Sequence, residues 1–182
     1  PFAVLGVFLA RPAGESWSEL GWKLALVVAC MVGARTWAML FNRLVDRRFD
    51  AANPRTARRA LPSRRLSPRD GWLMAAAAAG LFVACCAGFL VFFANPWPLI
   101  LCVPVLAFLA FYSLTKRFTV LCHLFLGGAL GASPIAAAIA VDPASLGRAP
   151  AVFWLAGMVV LWVAGFDIIY ALQDADFDRG VG

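Results

Sequence analysis

Long stretches of apolar residues recur along this chain and restrict its fold more than any other feature. Five runs of 19 to 24 residues, near 20–42, 71–94, 96–114, 118–141 and 151–173, are almost without charge, and a shorter apolar stretch occupies 1–10. At about 1.5 Å per helical residue, each long run can cross a hydrocarbon core of about 30 Å. Because a backbone in lipid must satisfy its own hydrogen bonds, the runs predict helices. We expect an all-α, multi-pass transmembrane helical bundle with six crossings, the first of them incomplete.

The composition supports a membrane protein. Of the 182 residues, 63% are hydrophobic and 14% are charged, and the mean hydropathy is +0.81, which is far too apolar for a soluble domain. The five cysteines lie within apolar runs without metal-ligand spacing, so we expect them to serve in packing. The sequence begins with Pro1 and stops at Gly182, beside an acidic cluster. We therefore interpret 1–182 as one membrane-embedded domain that is truncated at both ends. We expect it to contact the lipid bilayer and to bind no nucleic acid, and its protein partners are left open.

Positive charge is distributed unevenly among the connecting segments. Residues 43–70 contain nine of the sixteen lysines and arginines, and 115–118 contain two more, whereas 95–98 contain none and 142–150 contain one. Cytoplasmic loops carry an excess of such residues. The pattern predicts that 43–70, 115–118 and the segment after 173 meet on the cytoplasmic side, where we expect the active site of a protein in the bacterial inner membrane.

The first cluster of candidate functional residues lies at the end of the first long run. Asn42, Asp46 and Asp50 are spaced four residues apart. Successive members rotate by only about 40° around a helix, so all three can project from one face at its cytoplasmic end.

A second cluster, "DIIYALQDADFD", ends the last run at 167–178. Tyr170, Asp174 and Asp178 repeat the four-residue spacing, and Asp167 lies one turn before Tyr170. Six of the ten acidic residues of the chain fall in these two clusters. Two helix ends are thus predicted to bring carboxylates together.

Converging carboxylates repel one another unless a cation joins them. Mg²⁺ suits such a site, since it takes one or two carboxylates together with phosphate oxygens. Basic side chains stand beside the acids and are the usual partners of phosphate; they are Arg55, Arg58, Arg59, Arg64, Arg65 and Lys116. A metal-bridged diphosphate satisfies both signs of charge. For most of these arginines, topology marking and attraction to anionic lipid remain the simpler interpretation.

Three further features lie inside the apolar runs. Arg35 precedes Asn42 by seven residues, on nearly the same helix face and about two turns deeper, where an ionisable group indicates function. It is a candidate to bind a substrate carboxylate or the diphosphate, with a structural ion pair as the alternative. His123 is the only histidine, and we expect a hydrogen-bonded packing role for it. The glycines of "LGGALGASP" (126–134) predict close helix approach.

At these residues the sequence resembles the UbiA superfamily of intramembrane prenyltransferases. The signature NxxxDxxxD is matched at 42–50, and DxxYxxxDxxxD is matched in full at 167–178. Three stretches resemble the branch that prenylates 4-hydroxybenzoate: "ARTWAMLFNRLVDRRFDAANPRTARRALPS", "FYSLTKRFTVLCHLFLGGALGASP" and "FDIIYALQDADFDRGVG". The resemblance covers essentially the whole chain and implies a bundle of nine helices around a central cavity, of which about six are present.

The resemblance also implies roles for individual residues. The residues that it assigns to Mg²⁺ and diphosphate are Asp46, Asp50, Asp174 and Asp178. The diphosphate contacts that it implies are Arg59 and Lys116. It places Asn42 and Asp167 near the reacting carbon and the aromatic acceptor, with Tyr112 and Tyr170 lining the same region. The implied reaction is Mg²⁺-dependent transfer of a polyprenyl group from polyprenyl diphosphate to 4-hydroxybenzoate in ubiquinone biosynthesis, with Asp167 or the released diphosphate taking the ring proton.

Two other functions are compatible with parts of the pattern. A related enzyme that prenylates another aromatic acid, as in the futalosine route to menaquinone, would show nearly identical motifs. A cation-coupled transporter would also bind ions with intramembrane acids, but its site is expected near the bilayer midplane, whereas these acids lie at helix ends beside basic residues. The CDP-alcohol phosphotransferases require a DGxxAR element that this chain lacks.

Overall fold

The computed structural model describes residues 1–172, which form helices and turns without a strand. In chain order the elements are α1 (Phe2–Ala10), α2 (Trp17–Val45), α3 (Arg47–Ala52), α4 (Pro68–Phe93), α5 (Trp97–Thr115), α6 (Cys122–Val141), α7 (Ser145–Arg148) and α8 (Ala151–Ala171).

Five of these helices, α2, α4, α5, α6 and α8, are long and apolar enough to cross a membrane. Each coincides with one of the five predicted runs, with ends that differ by a few residues, and α1 matches the incomplete first crossing. Large apolar side chains of α8 point outward: Trp154 is 80% exposed, Leu161 71% and Trp162 69%. Outward apolar surface of this kind is typical of a helix in lipid or against further helices. The predicted multi-pass helical bundle is confirmed.

Local sequence explains where two of the long helices start. The Ser16 hydroxyl accepts a hydrogen bond from the Glu19 amide at 3.2 Å and caps α2. Ser67 does the same for the Asp70 amide at 3.1 Å, and Pro68 occupies the first turn of α4, where its missing N–H has no consequence. Between α3 and α4, residues 53–66 form turns and bends with local backbone hydrogen bonds, on the predicted cytoplasmic side.

The helices pack mainly as the pairs α2 with α4, α6 with α8, and α1 with α6. Gly127 and Gly131 explain the closeness of α6 and α8. A methyl group added at Gly127 would lie 2.4 Å from the Val160 carbonyl oxygen, and one at Gly131 would lie 2.5 Å from Val160 Cγ2. Only glycine fits at these crossings, which confirms the close approach predicted from 126–134.

The predicted meeting of 43–70 with 115–118 at one end of the bundle is also confirmed, whereas the segment after 173 lies outside the described residues. The C-terminal ends of α2, α5 and α8 and the start of α6 are joined there by side-chain contacts. One detail differs from the prediction of a single helix through 42–50. Asp46 has φ −90° and ψ 2°, so α2 ends there and α3 begins, although the Asp50 amide still donates to the Asp46 carbonyl at 2.8 Å. The helical hydrogen-bond spacing therefore survives the break.

Candidate active site at the polar end of the bundle

Asp46 is the most enclosed charge at this end. Its side chain is only 4% exposed, and each carboxylate oxygen has a cationic partner from the segment after α5. Lys116 Nζ donates to Oδ2, and Arg117 Nη2 donates to Oδ1 at 3.2 Å. Lys116 and Arg117 lie 70 and 71 positions after Asp46 in the sequence, so the pairing ties the end of α2 to the end of α5.

Asp50, one turn further, is held by the loop that follows it. Arg59 Nη1 lies 2.9 Å from Oδ1 and 3.1 Å from Oδ2 of Asp50. The Thr56 hydroxyl donates to the Asp50 carbonyl at 2.9 Å, which folds the loop back over the helix end. A cavity of about 30 Å³ lies against this pair, lined also by Leu40 and Leu61.

Asp167 of α8 pairs with the only histidine of the chain. Asp167 Oδ2 lies 2.7 Å from Nδ1 of His123, which stands at the start of α6. The expectation of a hydrogen-bonded role for His123 is thus met, but its partner belongs to the second acidic cluster. A packing role alone does not describe this contact.

Tyr170, one turn after Asp167, is held by a loop arginine. Arg55 Nη1 donates to the Tyr170 hydroxyl at 3.0 Å, and the guanidinium carbon lies 5.3 Å from the ring centroid. This contact joins the loop after α3 to the end of α8. Asp174 and Asp178, the remaining acids of the cluster, lie outside the described residues.

Tyr112 of α5 lies one turn before Lys116 and is half-buried, and its backbone carbonyl accepts from the Thr115 hydroxyl at 2.6 Å. Arg35 is exposed, and within residues 1–172 it forms neither a hydrogen bond nor an ion pair, so its alternative role as a structural ion pair has no support there. Asn42 is half-buried, and its backbone carbonyl accepts from the Asp46 amide at 3.0 Å.

The polar end therefore presents buried carboxylates together with basic side chains, drawn from four long helices and one loop. Carboxylate oxygens are suitable ligands for a hard cation, and lysine and arginine are suitable partners for phosphate. Residues 1–172 contain no group of three or more potential metal ligands, so Asp46 and Asp50 would need other donors to complete a metal site.

No role was predicted for Arg117, and the contacts of His123 with Asp167 and of Arg55 with Tyr170 were not predicted. Arg117 adjoins Lys116, and its position in a short basic segment at a helix end was the available signal. His123 lies 44 residues from Asp167, and nothing in the spacing of the two indicates contact.

Comparison with known proteins places the chain in a family. The UbiA prenyltransferase family matches residues 1–182. A 4-hydroxybenzoate octaprenyltransferase from Photobacterium profundum is 36% identical over 163 residues, covering 87% of this chain and 53% of that protein. One from Pseudomonas syringae is 32% identical over 181 residues, covering 98% and 50%.

A solved structure agrees with the sequence matches. The apo structure of a UbiA homolog from Aeropyrum pernix K1 superposes with a TM-score of 0.85 at 35% identity, covering 98% of this chain and 63% of that one. The chain spans about half the length of the curated relatives that it matches. This chain is an integral membrane protein that belongs to the UbiA prenyltransferase family.

Proposed function

We propose that the full-length protein containing this chain transfers a polyprenyl group from polyprenyl diphosphate to the ring carbon ortho to the hydroxyl of 4-hydroxybenzoate, in ubiquinone biosynthesis. The observation that carries the proposal is the buried Asp46 carboxylate with Lys116 and Arg117 on its two oxygens, at the end of an apolar bundle. The names of the relatives support the same donor and acceptor. The site would face the cytoplasm from the inner membrane.

Basic side chains would bind the diphosphate as it leaves. Lys116 and Arg59 are each paired with a motif carboxylate, and their side chains are 48% and 38% exposed, so both can reach an incoming anion. Fixed positive charge next to the scissile C–O bond stabilises the charge that develops on the leaving oxygen. Arg117, at 41% exposure, would supply a third cation.

The proposal includes Mg²⁺, and the donor chemistry of the site fits it. Asp46 and Asp50 supply two hard oxygen ligands on adjacent turns, which is the number that this ion commonly takes from a protein. Asp174 and Asp178 would hold it from the second motif. When bound, the ion would offset the negative charge that develops on the departing diphosphate.

The acceptor would lie between α2, α5 and α8. Arg35 has no ion-pair partner among residues 1–172 and would bind the acceptor carboxylate. Tyr112, Asn42 and Tyr170 would line the same space. As the C–O bond of the donor breaks, an allylic cation forms, and the aromatic ring of the acceptor attacks it. The surrounding helices exclude the water that would otherwise consume this cation. Loss of the ring proton completes the reaction.

A radiolabel assay tests the proposal. Full-length protein in lipid receives Mg²⁺, a polyprenyl diphosphate and labelled 4-hydroxybenzoate, and lipid-soluble label is measured. We expect a Mg²⁺-dependent product that is lost in Asp46→Asn. If diphosphate is released only with a different aromatic acid, the proposed prenyl transfer stands but the acceptor is that acid, as in the menaquinone route. Unchanged diphosphate release in Asp46→Asn would contradict the proposed chemistry.

A further inference from the structure

The contact between His123 and Asp167 is unlike the other carboxylate contacts at the polar end. Asp46 and Asp50 are paired with lysine and arginine, whereas Asp167 is paired with an imidazole at 2.7 Å. The side chains of His123 and Asp167 are 24% and 34% exposed, so the pair is partly enclosed without being sealed from the site.

The contact uses only one side of each group. It engages Oδ2 of Asp167 and Nδ1 of His123, and no other side chain or amide in the described part of the chain bonds to either residue's remaining polar atom. Among residues 1–172, Oδ1 of Asp167 thus has no hydrogen-bond partner, and the side chain is exposed enough to accept a hydrogen bond or a proton from a ligand. Asp167 lies one helical turn before Tyr170, whose hydroxyl accepts from Arg55 of the loop after α3 at 3.0 Å, so the carboxylate lies beside the region proposed for the acceptor.

The chemical nature of the partner matters for what Asp167 can do. A lysine or arginine partner favours the ionised carboxylate and makes it a weaker proton acceptor. A neutral imidazole donates one hydrogen bond and fixes the carboxylate orientation without adding a full positive charge. His123 thus orients the Asp167 carboxylate, whereas Asp46 and Asp50 are held by lysine and arginine side chains.

We propose that His123 is a positioning residue, which donates from Nδ1–H to Oδ2 of Asp167 and leaves Oδ1 to accept the proton lost from the acceptor ring. The inference rests on the proposed function and deepens it. After the new C–C bond has formed, the C–H bond at the same ring carbon breaks, its electron pair restores aromaticity, and the proton moves to Oδ1 to give a neutral carboxylic acid. The acid returns its proton to the released diphosphate or to water before the next turnover.

The experiment compares three variants in the full-length protein. His123→Leu removes the donor, His123→Asn retains an N–H near the position of Nδ1, and Asp167→Asn removes the base. Val120→Ala, at an 87% exposed position three residues before His123, is the matched control. Each protein is assayed for product and for diphosphate release, with 4-hydroxybenzoate and with acceptor deuterated at both ring positions ortho to the hydroxyl.

We expect product formation by His123→Leu to fall by about 10- to 100-fold, because a misplaced proton acceptor loses its alignment. A primary deuterium isotope effect should appear in that variant, since C–H cleavage becomes rate-limiting. His123→Asn should recover most of the loss, and Asp167→Asn should show the larger defect.

Three results would overturn this inference without contradicting the proposed function. The first is product formation by His123→Leu at the wild-type rate, and the second is a parallel fall in diphosphate release and product in His123→Leu without an isotope effect. The third is full activity of Asp167→Asn. The second result indicates a purely structural contact, and the third indicates that diphosphate takes the proton. Wild-type protein that forms no product contradicts the proposed function and, with it, this inference.

Discussion

Both ends of the helical bundle contain enclosed ion pairs, but the partners come from very different distances along the sequence. At the end where α2 starts, Lys23 contacts Glu15 at 2.5 Å and Glu19 at 3.0 Å, all within eight residues. At the end where α2 stops, Asp46 is paired with Lys116 and Arg117, about 70 residues away. Local pairs can form as one helix forms, whereas distant pairs require the assembled bundle.

The cavities at the two ends differ in volume, and the larger cavity is at the end with the local ion pairs. A space of about 510 Å³ lies beside Lys23, Asn95 and Asp142, whereas the one beside Asp50 is about 30 Å³. The polar groups that line the larger space are already engaged: Asn95 donates to two carbonyls of α6, and Asp142 binds Arg148. The proposed site therefore rests on the convergence of charges from separate helices and not on cavity size.

The contrast between the two ends predicts that the largest loss of activity follows from substitution of Lys116. Lys116→Met removes a proposed diphosphate contact, and we expect prenyl transfer to fall by about 100-fold or more, as when one preorganised electrostatic group is lost from an active site. The fold should tolerate the change, because Arg117 still pairs with Asp46 and the Lys116 side chain is 48% exposed. Initial rates and thermal unfolding in detergent measure the two effects. A large loss of stability with normal turnover would reverse our assignment of this end to function.

Lys23→Met is the matched substitution at the other end, and its effect should be on stability. Glu15 is 3% exposed and has Lys23 as its only side-chain partner among residues 1–172, so the substitution leaves a buried acid without compensation. Breaking a buried pair in this way costs about 3 kcal/mol. Unfolding measurements should show that loss, while turnover per folded molecule stays at the wild-type value. Reduced turnover in fully folded protein would indicate that this end also takes part in catalysis.

The sequence was sufficient for the architecture because helix length and apolarity are local properties. The five long helices and the close packing at Gly127 follow from runs and spacings that can be counted. The meeting of 43–70 with 115–118 also followed, since charge bias reports which side of the membrane each loop occupies. The individual partners could not be predicted in the same way. Arg117 with Asp46 and His123 with Asp167 depend on how separate helices are rotated in the bundle, and no local pattern encodes that rotation.

Arg59→Lys separates geometry from charge within the site. The guanidinium reaches both oxygens of Asp50, at 2.9 Å and 3.1 Å, and is more suitable than an ammonium for planar recognition of diphosphate. Losing one charge-assisted hydrogen bond costs about 1.5 kcal/mol, so we expect about a tenfold rise in KM for the prenyl diphosphate. A steady-state titration of the donor measures this. An unchanged KM would mean that Arg59 supports only the loop around Asp50.

The smallest effect is expected at Arg148, on the same end as Lys23 but at the surface. Its ion pair with Asp142 is local, and the two side chains are 58% and 19% exposed. Exposed pairs contribute less than about 1 kcal/mol, so Arg148→Ala should lower the unfolding free energy by no more than that and leave turnover unchanged. Asp142→Ala provides the contrast, because Asp142 Oδ1 also accepts from the Ala144 amide at 3.0 Å and supports the turn before α7. We expect Asp142→Ala to destabilise the protein more than Arg148→Ala. If Arg148→Ala were the more destabilising substitution, the ion pair would contribute more to stability than the hydrogen bond from Asp142 to the backbone. The two ends would then differ only in how much their ion pairs contribute.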